Sequence, residues 1–260
     1  MDHPLHVQIA MHTRTLPAIW MILAALAAHP SIALAQTPPP PPPGWAGSAG
    51  AGLAMTQGNN DTSTVNAAFE LKHDSGGPMV FKSNGLLLWS KAEETVTSDR
   101  LSLDGRLERK LSARTAVFGQ TQYLRDKFKS IEHLLAPTVG VSRQLVKDAR
   151  SELGVDAAVG VVFEQNPGLE MQKDGAVTAG QQFTRKLTST AELKEKISAL
   201  WKMDDFGDAL YAAGAGVAAA ITTETQLKVE FLDTYKAKPP LPAVEKNDIA
   251  VLLSFVYKFQ

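Results

Sequence analysis

The chain contains no cysteine. Neither a disulfide nor a thiolate-held metal can therefore contribute to its fold, even where an oxidising compartment would permit a disulfide. Long apolar runs are almost as scarce. The longest, Ala18–Ala28, falls well short of the roughly 20 residues a membrane-spanning helix needs. An excess of either charge is missing too: 26 Lys+Arg stand against 27 Asp+Glu, a net charge of -1. That balance argues against a nucleic-acid partner. Histidine is thin where chemistry would need it, because beyond residue 35 there are only His73 and His133.

What is present begins with an address. His12 and Arg14 precede the apolar run, and Ala33-Leu34-Ala35 comes after it. A weakly basic start, a short apolar stretch and a small-x-small site make a secretory signal peptide over residues 1–35. Because the base lies downstream of Met11, Met11 is a candidate true start. Removing the signal takes away one base (Arg14) and one acid (Asp2) and leaves the charge balance unchanged. Pro38 to Pro43 then form an extended polyproline stretch, so residues 36–44 are read as a semi-rigid periplasmic spacer.

Residues 45–260 alternate. At the chain terminus Ile249, Val251, Leu253, Phe255, Tyr257 and Phe259 occupy one face, while Ala250, Leu252, Ser254, Val256 and Lys258 occupy the other. Period-2 alternation marks a strand with two different faces. Twelve such segments are predicted: Trp45–Gln57, Thr62–His73, Met79–Ser90, Val96–Lys110, Thr115–Arg125, Glu132–Val146, Glu152–Glu164, Ala176–Leu187, Ala191–Lys202, Ala209–Ile221, Gln226–Tyr235 and Asp248–Phe259. At about 9–11 residues each, strands of this kind span a tilted barrel wall. Ten or fourteen strands remain open. The pattern alone also fits a soluble sandwich; the signal peptide and the aromatic terminal strand favour an all-β, antiparallel up-and-down transmembrane barrel in the outer membrane. Strand eight is irregular, because its register puts Gln181 and Arg185 on the apolar face beside Val177, Ala179 and Phe183. Such groups are costly at mid-membrane, so the register there is open to doubt.

Alternate connections are tight: 74–78, 111–114, 147–150, 188–190 and 222–225. The other set includes the longer 165–175 and 236–247. Outer-membrane barrels have short periplasmic turns and longer outer loops, which puts both chain ends of the barrel at the periplasm.

Polar faces of the strands supply the candidate site. Asp104, Arg106, Glu108, Asp156, Lys194, Lys196, Lys228, Glu230 and Lys258 are expected to face the lumen. There they either line an aqueous channel, as charged rings do in pores, or pair into a network that fills it. Ser130, Glu132 and His133 with Asp126 form the one conceivable hydrolytic group, too clustered in sequence to carry a strong signal. Asp204, Asp205 and Asp208, and likewise Asn59, Asn60 and Asp61, have oxygen ligands that suit a divalent cation, but loop chemistry alone accounts for such residues. Trp45, Trp89, Trp201, Tyr123, Tyr235, Tyr257 and Phe259 fall near strand ends, where aromatics suit the headgroup level.

Several blocks resemble a known family: Gly47-Ser-Ala-Gly-Ala-Gly52 leading to Gly58-Asn-Asn-Asp-Thr-Ser63, Leu101-Ser-Leu-Asp-Gly-Arg106, Phe118-Gly-Gln120, Tyr123-Leu-Arg-Asp126, Ala136-Pro-Thr-Val-Gly140, Asn166-Pro-Gly168, Leu200-Trp-Lys202, Asp205-Phe-Gly-Asp208 and Leu232-Asp-Thr-Tyr-Lys236. Together they are similar to the YdiY-like family, a domain-of-unknown-function group labelled salt-induced outer-membrane proteins. The resemblance implies an outer-membrane barrel in a Gram-negative bacterium and brings no catalytic or binding residues. Gln260 departs from the pattern, since such barrels commonly end in the aromatic itself.

The expected function is a monomeric narrow pore or envelope-maintenance barrel, linked to salt stress by the family label alone. The alternative is a non-conducting structural or binding barrel whose outer loops contact lipopolysaccharide or divalent ions. Neither an enzyme nor a cofactor is expected. The expected partners are outer-membrane lipids and the barrel-assembly machinery, which would read the C-terminal strand. Mass spectrometry of the protein from envelope fractions is expected to give a mature N-terminus at Gln36; a chain still beginning at Met1 or Met11 would refute the signal reading.

Overall fold

The computed structural model describes residues 44–56, 62–93, 95–242 and 244–259. The signal segment, most of the proline spacer, Asn59, Asn60, Asp61 and Gln260 lie outside the described residues. Twelve strands run in chain order: β1 (Gly44–Thr56), β2 (Thr62–Asp74), β3 (Met79–Ala92), β4 (Thr95–Lys110), β5 (Thr115–Asp126), β6 (Ile131–Lys147), β7 (Ser151–Gln165), β8 (Gln172–Lys186), β9 (Ala191–Lys202), β10 (Ala209–Ala220), β11 (Thr225–Lys236) and β12 (Asn247–Phe259). Each pairs antiparallel with its sequence neighbours, and β1 pairs with β12 to close the barrel. Among the described residues a single 3-10 turn, Lys127–Lys129, interrupts the all-strand order.

The exterior carries the large apolar members of the alternation. Val139, Val159, Val229, Val251, Leu253 and Phe255 are all exposed, which in water would be a heavy penalty and in hydrocarbon is the favoured state. No helix among the described residues is long and apolar enough to cross a membrane. Crossing is by strands, because a closed ring satisfies every wall N–H and C=O internally.

Some expectations need correction. Gly44, placed in the spacer, opposes Asp74 as the first residue of β1. Strand eight begins earlier, since Gln172–Gly175 pair with Val161–Glu164 of β7, so the connection before it shrinks. On the side expected to carry longer loops, β3 runs to Ala92 and β4 already starts at Thr95, with Glu93 in the left-handed region (φ 46°) that a tight hairpin requires. The register of strand eight stands as drawn: Val177 opposes Trp201, Gln181 opposes Ile197 and Arg185 opposes Leu193. We call the side of the tight turns the turn end and the opposite side the loop end. At the turn end Asp148 accepts from the backbone N–H of Arg150 (2.8 Å) and Ser151 (2.7 Å). These bonds hold its carboxyl below the usual carboxylate range.

Closure is the least regular part of the wall. β1 and β12 pair only over Gly47–Ala51 against Phe255–Phe259. Just beyond, a Cβ on Gly52 would lie 1.9 Å from the carbonyl oxygen of Leu253 and 2.5 Å from Asn66 Nδ2. Asn66 on β2 uses that space to reach β12, accepting from Ser254 Oγ at 2.7 Å. Gly52→Val forces the strands apart at the seam. Overpacking of this kind costs about 1–3 kcal/mol. Denaturant unfolding from lipid vesicles is expected to show a loss of that size, with Gly105→Val, where a Cβ meets open space, as the near-neutral control.

Candidate functional site: the barrel lumen

The lumen has two unlike halves. Toward the turn end its polar side chains are wet. Lys194 on β9 and Glu70 on β2 pair at 3.1 Å although their strands are five apart around the ring, so the bond crosses the lumen. Their side chains remain 42% and 54% exposed. Lys228 pairs with Glu230 at 2.9 Å on β11. Lys258 lines the same cavity over a floor of Ala68, Leu86, Leu252 and Val256. Lys196 is exposed on the same face of β9 as Lys194. Neither Lys196 nor Lys258 forms an ion pair among the described residues.

On the opposite wall Arg106 organises a second group. Its guanidinium lies 2.7 Å from Glu108, 3.5 Å from Asp156 and 3.2 Å from Gln120 Oε1. The Phe118 ring sits beneath it, 3.5 Å from Cζ to the ring centre, where a desolvated cation gains from the ring's negative face. Asp104 accepts from Gln120 at 2.5 Å and Asn84 at 3.4 Å. Lys82 closes the group on Glu108 at 2.9 Å.

Toward the loop end the lumen is dry. Ile131, Leu134, Ala136, Val162, Ala176 and Leu200 form a buried apolar cluster, with Leu124 and Leu210 packed against it. Beside it lies a buried ion cluster. Glu164, 1% exposed, binds Lys202 at 2.9 Å and Lys236 at 2.8 Å, and accepts from Asn166 Nδ2 at 3.1 Å. Asp208 meets the same two lysines at 2.7 and 3.5 Å. Arg100 on β4 binds Asp126 at 2.6 Å and reaches Thr234 on β11 at 2.8 Å, another bond between walls five strands apart.

The 3-10 turn fastens the far side. Asp126 caps it, accepting from the N–H groups of Phe128 and Lys129, and Ser130 ends it in the left-handed region. This fold sends Lys129 inward until it is 0% exposed. Its Nζ donates to the Glu245 carbonyl at 2.9 Å and meets Asp248 at the same distance. One lysine thus straps the β5–β6 connection to the β11–β12 connection across the barrel mouth.

The nine residues expected to face the lumen therefore divide. Arg106 holds Glu108 and Asp156 directly and is linked to Asp104 through Gln120, Lys194 joins Glu70, Lys228 joins Glu230, and Lys196 and Lys258 stand apart. The sequence candidates omit Lys129, Glu164, Lys202 and Lys236, and name Asp208 only as a cation ligand. The parity that turns Asp156, Lys228 and Lys194 inward, carried to the strand ends, finds Glu164, Lys236 and Lys202 as well. Lys129 had no such signal, because it lies in a connection.

Other candidates are not assembled. His133 bonds Tyr123 at 2.9 Å, while Asp126 is occupied by Arg100 and the cap, so the hydrolytic group is not brought together. His133 starts β6 at the loop end and His73 stacks on Trp45 at the turn end, ring centres 4.5 Å apart. Asp205 pairs with Lys238 and Asp208 with two lysines, and among the described residues no group of three or more His, Asp or Glu is arranged to hold a metal. The Lys238 hydrogen bond holds the Asp205 carboxyl below its usual range. Aromatics gather at both rims, with Trp201 donating to Tyr211 at 3.0 Å at the loop end.

A closed wall, apolar outside and charged within, defines a transmembrane β-barrel of the outer-membrane type. The chain belongs to the family described as "Protein of unknown function, DUF481", whose model matches residues 49–259. It is similar to the uncharacterized protein YdiY of Escherichia coli (strain K12), 22% identical over 258 residues, 94% of this chain and 98% of that one. Among solved structures it is similar in fold to the NanC porin (TM-score 0.50, 9% identity, 83% of this chain and 100% of that chain). Another is an outer membrane channel from Pseudomonas putida F1 (TM-score 0.49, 11% identity, 89% and 100%).

Glu164→Leu leaves Lys202 and Lys236 buried with Asp208 as the one carboxylate they still share. Breaking a buried pair from one side costs about 3–5 kcal/mol. Guanidinium unfolding from vesicles is expected to register a loss of that order, against little change for Glu230→Gln in the wet half.

Proposed function

We propose that the protein works in the outer membrane as a non-conducting barrel with a blind, charged vestibule. The turn end, and with it the vestibule, faces the periplasm, in keeping with short periplasmic turns in barrels of this type. One observation carries this reading: lumen groups at the loop end, Lys129, Glu164, Val162 and Ala136, are essentially inaccessible, whereas Lys194 and Glu70 at the turn end are open to water. An open aqueous path needs wet groups along its whole length. The vestibule cavity, about 50 Å³, has room for little more than water.

A second reading is favoured by the Lys129 strap. It belongs to a connection rather than to the wall, so releasing it does not require the barrel to unpair. On that reading the barrel is a narrow channel held shut. The outer loops are the surface offered to lipopolysaccharide, the apolar belt binds lipid, and the C-terminal strand is what the barrel-assembly machinery would recognise. A salt-stress role rests on the family label, and protein levels after salt shock test it.

Planar-bilayer recordings of the refolded mature chain across a range of KCl concentrations separate these readings. The wild type is expected to be silent. Silence from Lys129→Ala as well supports the fixed plug; discrete, salt-scaled steps from Lys129→Ala alone support the gated channel. Steps from the wild type would overturn the closed-lumen reading.

A further inference from the structure

The polar residues on the outer face of β8 have a neighbour that carries no signal in the alternation. Glu195 on β9 opposes Phe183 of β8 and Ala215 of β10. It lies between Lys194 and Lys196, which share the lumen face, and so points outward. There it accepts from Gln181 Nε2 at 3.2 Å. Glu195 is the fifth of twelve residues in its strand, well inside the span rather than at a rim. A carboxyl and a carboxamide facing hydrocarbon are costly unless their remaining hydrogen-bonding capacity is met.

The surface around this pair is also unlike the rest of the wall. Phe183, Leu193 and Ile197 flank the pair on β8 and β9, while Ala179, Ala199, Ala213 and Ala215 are small members of the same bilayer side across β8, β9 and β10. On β12 the equivalent positions are Ile249, Val251, Leu253 and Phe255, all strongly exposed. Small residues let two membrane-embedded surfaces approach closely, and polar side chains then bond across the contact.

We infer that the bilayer face of β8–β10 is the contact between two copies of this chain. The occupant is set by complementarity. Once the 3.2 Å bond is made, Gln181 keeps one N–H and its carbonyl, and Glu195 keeps its second oxygen. About a two-fold axis along the membrane normal, Gln181 of each copy meets Glu195 of the other, the reciprocal pairing an isologous interface requires. Copies inserted in one direction carry each of these residues at the same depth, as an axis along the membrane normal requires. This differs from the monomer expected from sequence, and it does not depend on whether the lumen conducts.

The absence of cysteine gives a clean test. Ala199→Cys is expected to form a disulfide-linked dimer on oxidation in outer membranes, and Val251→Cys on the far wall is not. In the Ala199→Cys background, Glu195→Leu is expected to abolish the cross-link while the barrel keeps its heat-modifiable migration, and Glu195→Gln to retain it. Three outcomes would overturn the inference: no dimer from Ala199→Cys, equal cross-linking from Val251→Cys, or a cross-link untouched by Glu195→Leu.

Discussion

A peptide group inside a bilayer has no water to fall back on. Each wall N–H and C=O left unpaired there costs several kcal/mol, so the strands are stable together or not at all. This requirement makes β1 and β12, the farthest elements in sequence, obligatory partners. Their pairing spans only Gly47–Ala51 against Phe255–Phe259, and past Ala51 side chains take the place of the ladder. Glycine at 52 lets the backbones approach, and Asn66 reaches past β1 to Ser254. A side-chain clasp completes what main-chain hydrogen bonds begin, which is why a glycine with no role in any turn matters to the whole ring.

Closure then determines the chemistry of the inside. A ring of twelve strands encloses more room than its own small side chains fill, and the surplus is either water or packing. Here both occur, and charge behaves differently in each. Glu70–Lys194 is solvated at both ends, so screening and side-chain entropy leave it little net energy. Glu164 with Lys202 and Lys236 has lost its water. Such a cluster is retained only when every charge has partners, and losing one is far more damaging than never having had any. The dry half is therefore rigid in consequence of being charged, while the wet half can be charged without being rigid.

Much of the barrel is legible in the sequence, for a physical reason. A period of two is imposed by the pleat and tested on both faces, so twelve strands and their inward residues can be read from alternations such as Leu101, Leu103 and Leu107 against Asp104, Arg106 and Glu108. Strand ends are less legible: Gln172–Gly175 read as loop because Lys173 and Asp174 are polar, yet they complete the β7 ladder. Lys129 cannot be read at all. Its burial results from a capped 3-10 turn and a lysine long enough to cross the mouth, a tertiary outcome with no period. The outward Glu195 is hidden for the opposite reason, since the inward lysines on either side of it make the whole segment look like lumen lining.

The division of the lumen arises from side-chain size along each strand. On β9 the inward series runs Glu192, Lys194, Lys196, Ser198, Leu200, Lys202, from long flexible charges near the turn to a packed leucine and a buried lysine. On β7 it runs Glu152, Gly154, Asp156, Ala158, Gly160, Val162, Glu164, with small residues at mid-strand and a branched residue and an acid at the loop end. These two strands, on either side of β8, thus bring bulk to the loop end together. Lysine ends on both β9 and β11 then demand acids at that level, and β7 and the β9–β10 connection provide Glu164 and Asp208. An inward charge at a loop-end position is tolerated only because its neighbours carry the counter-charge at matching height. The register that closes the wall is the same register that neutralises the plug, so a slip of one residue in any of these strands would expose lumen charge to lipid and empty the seal together.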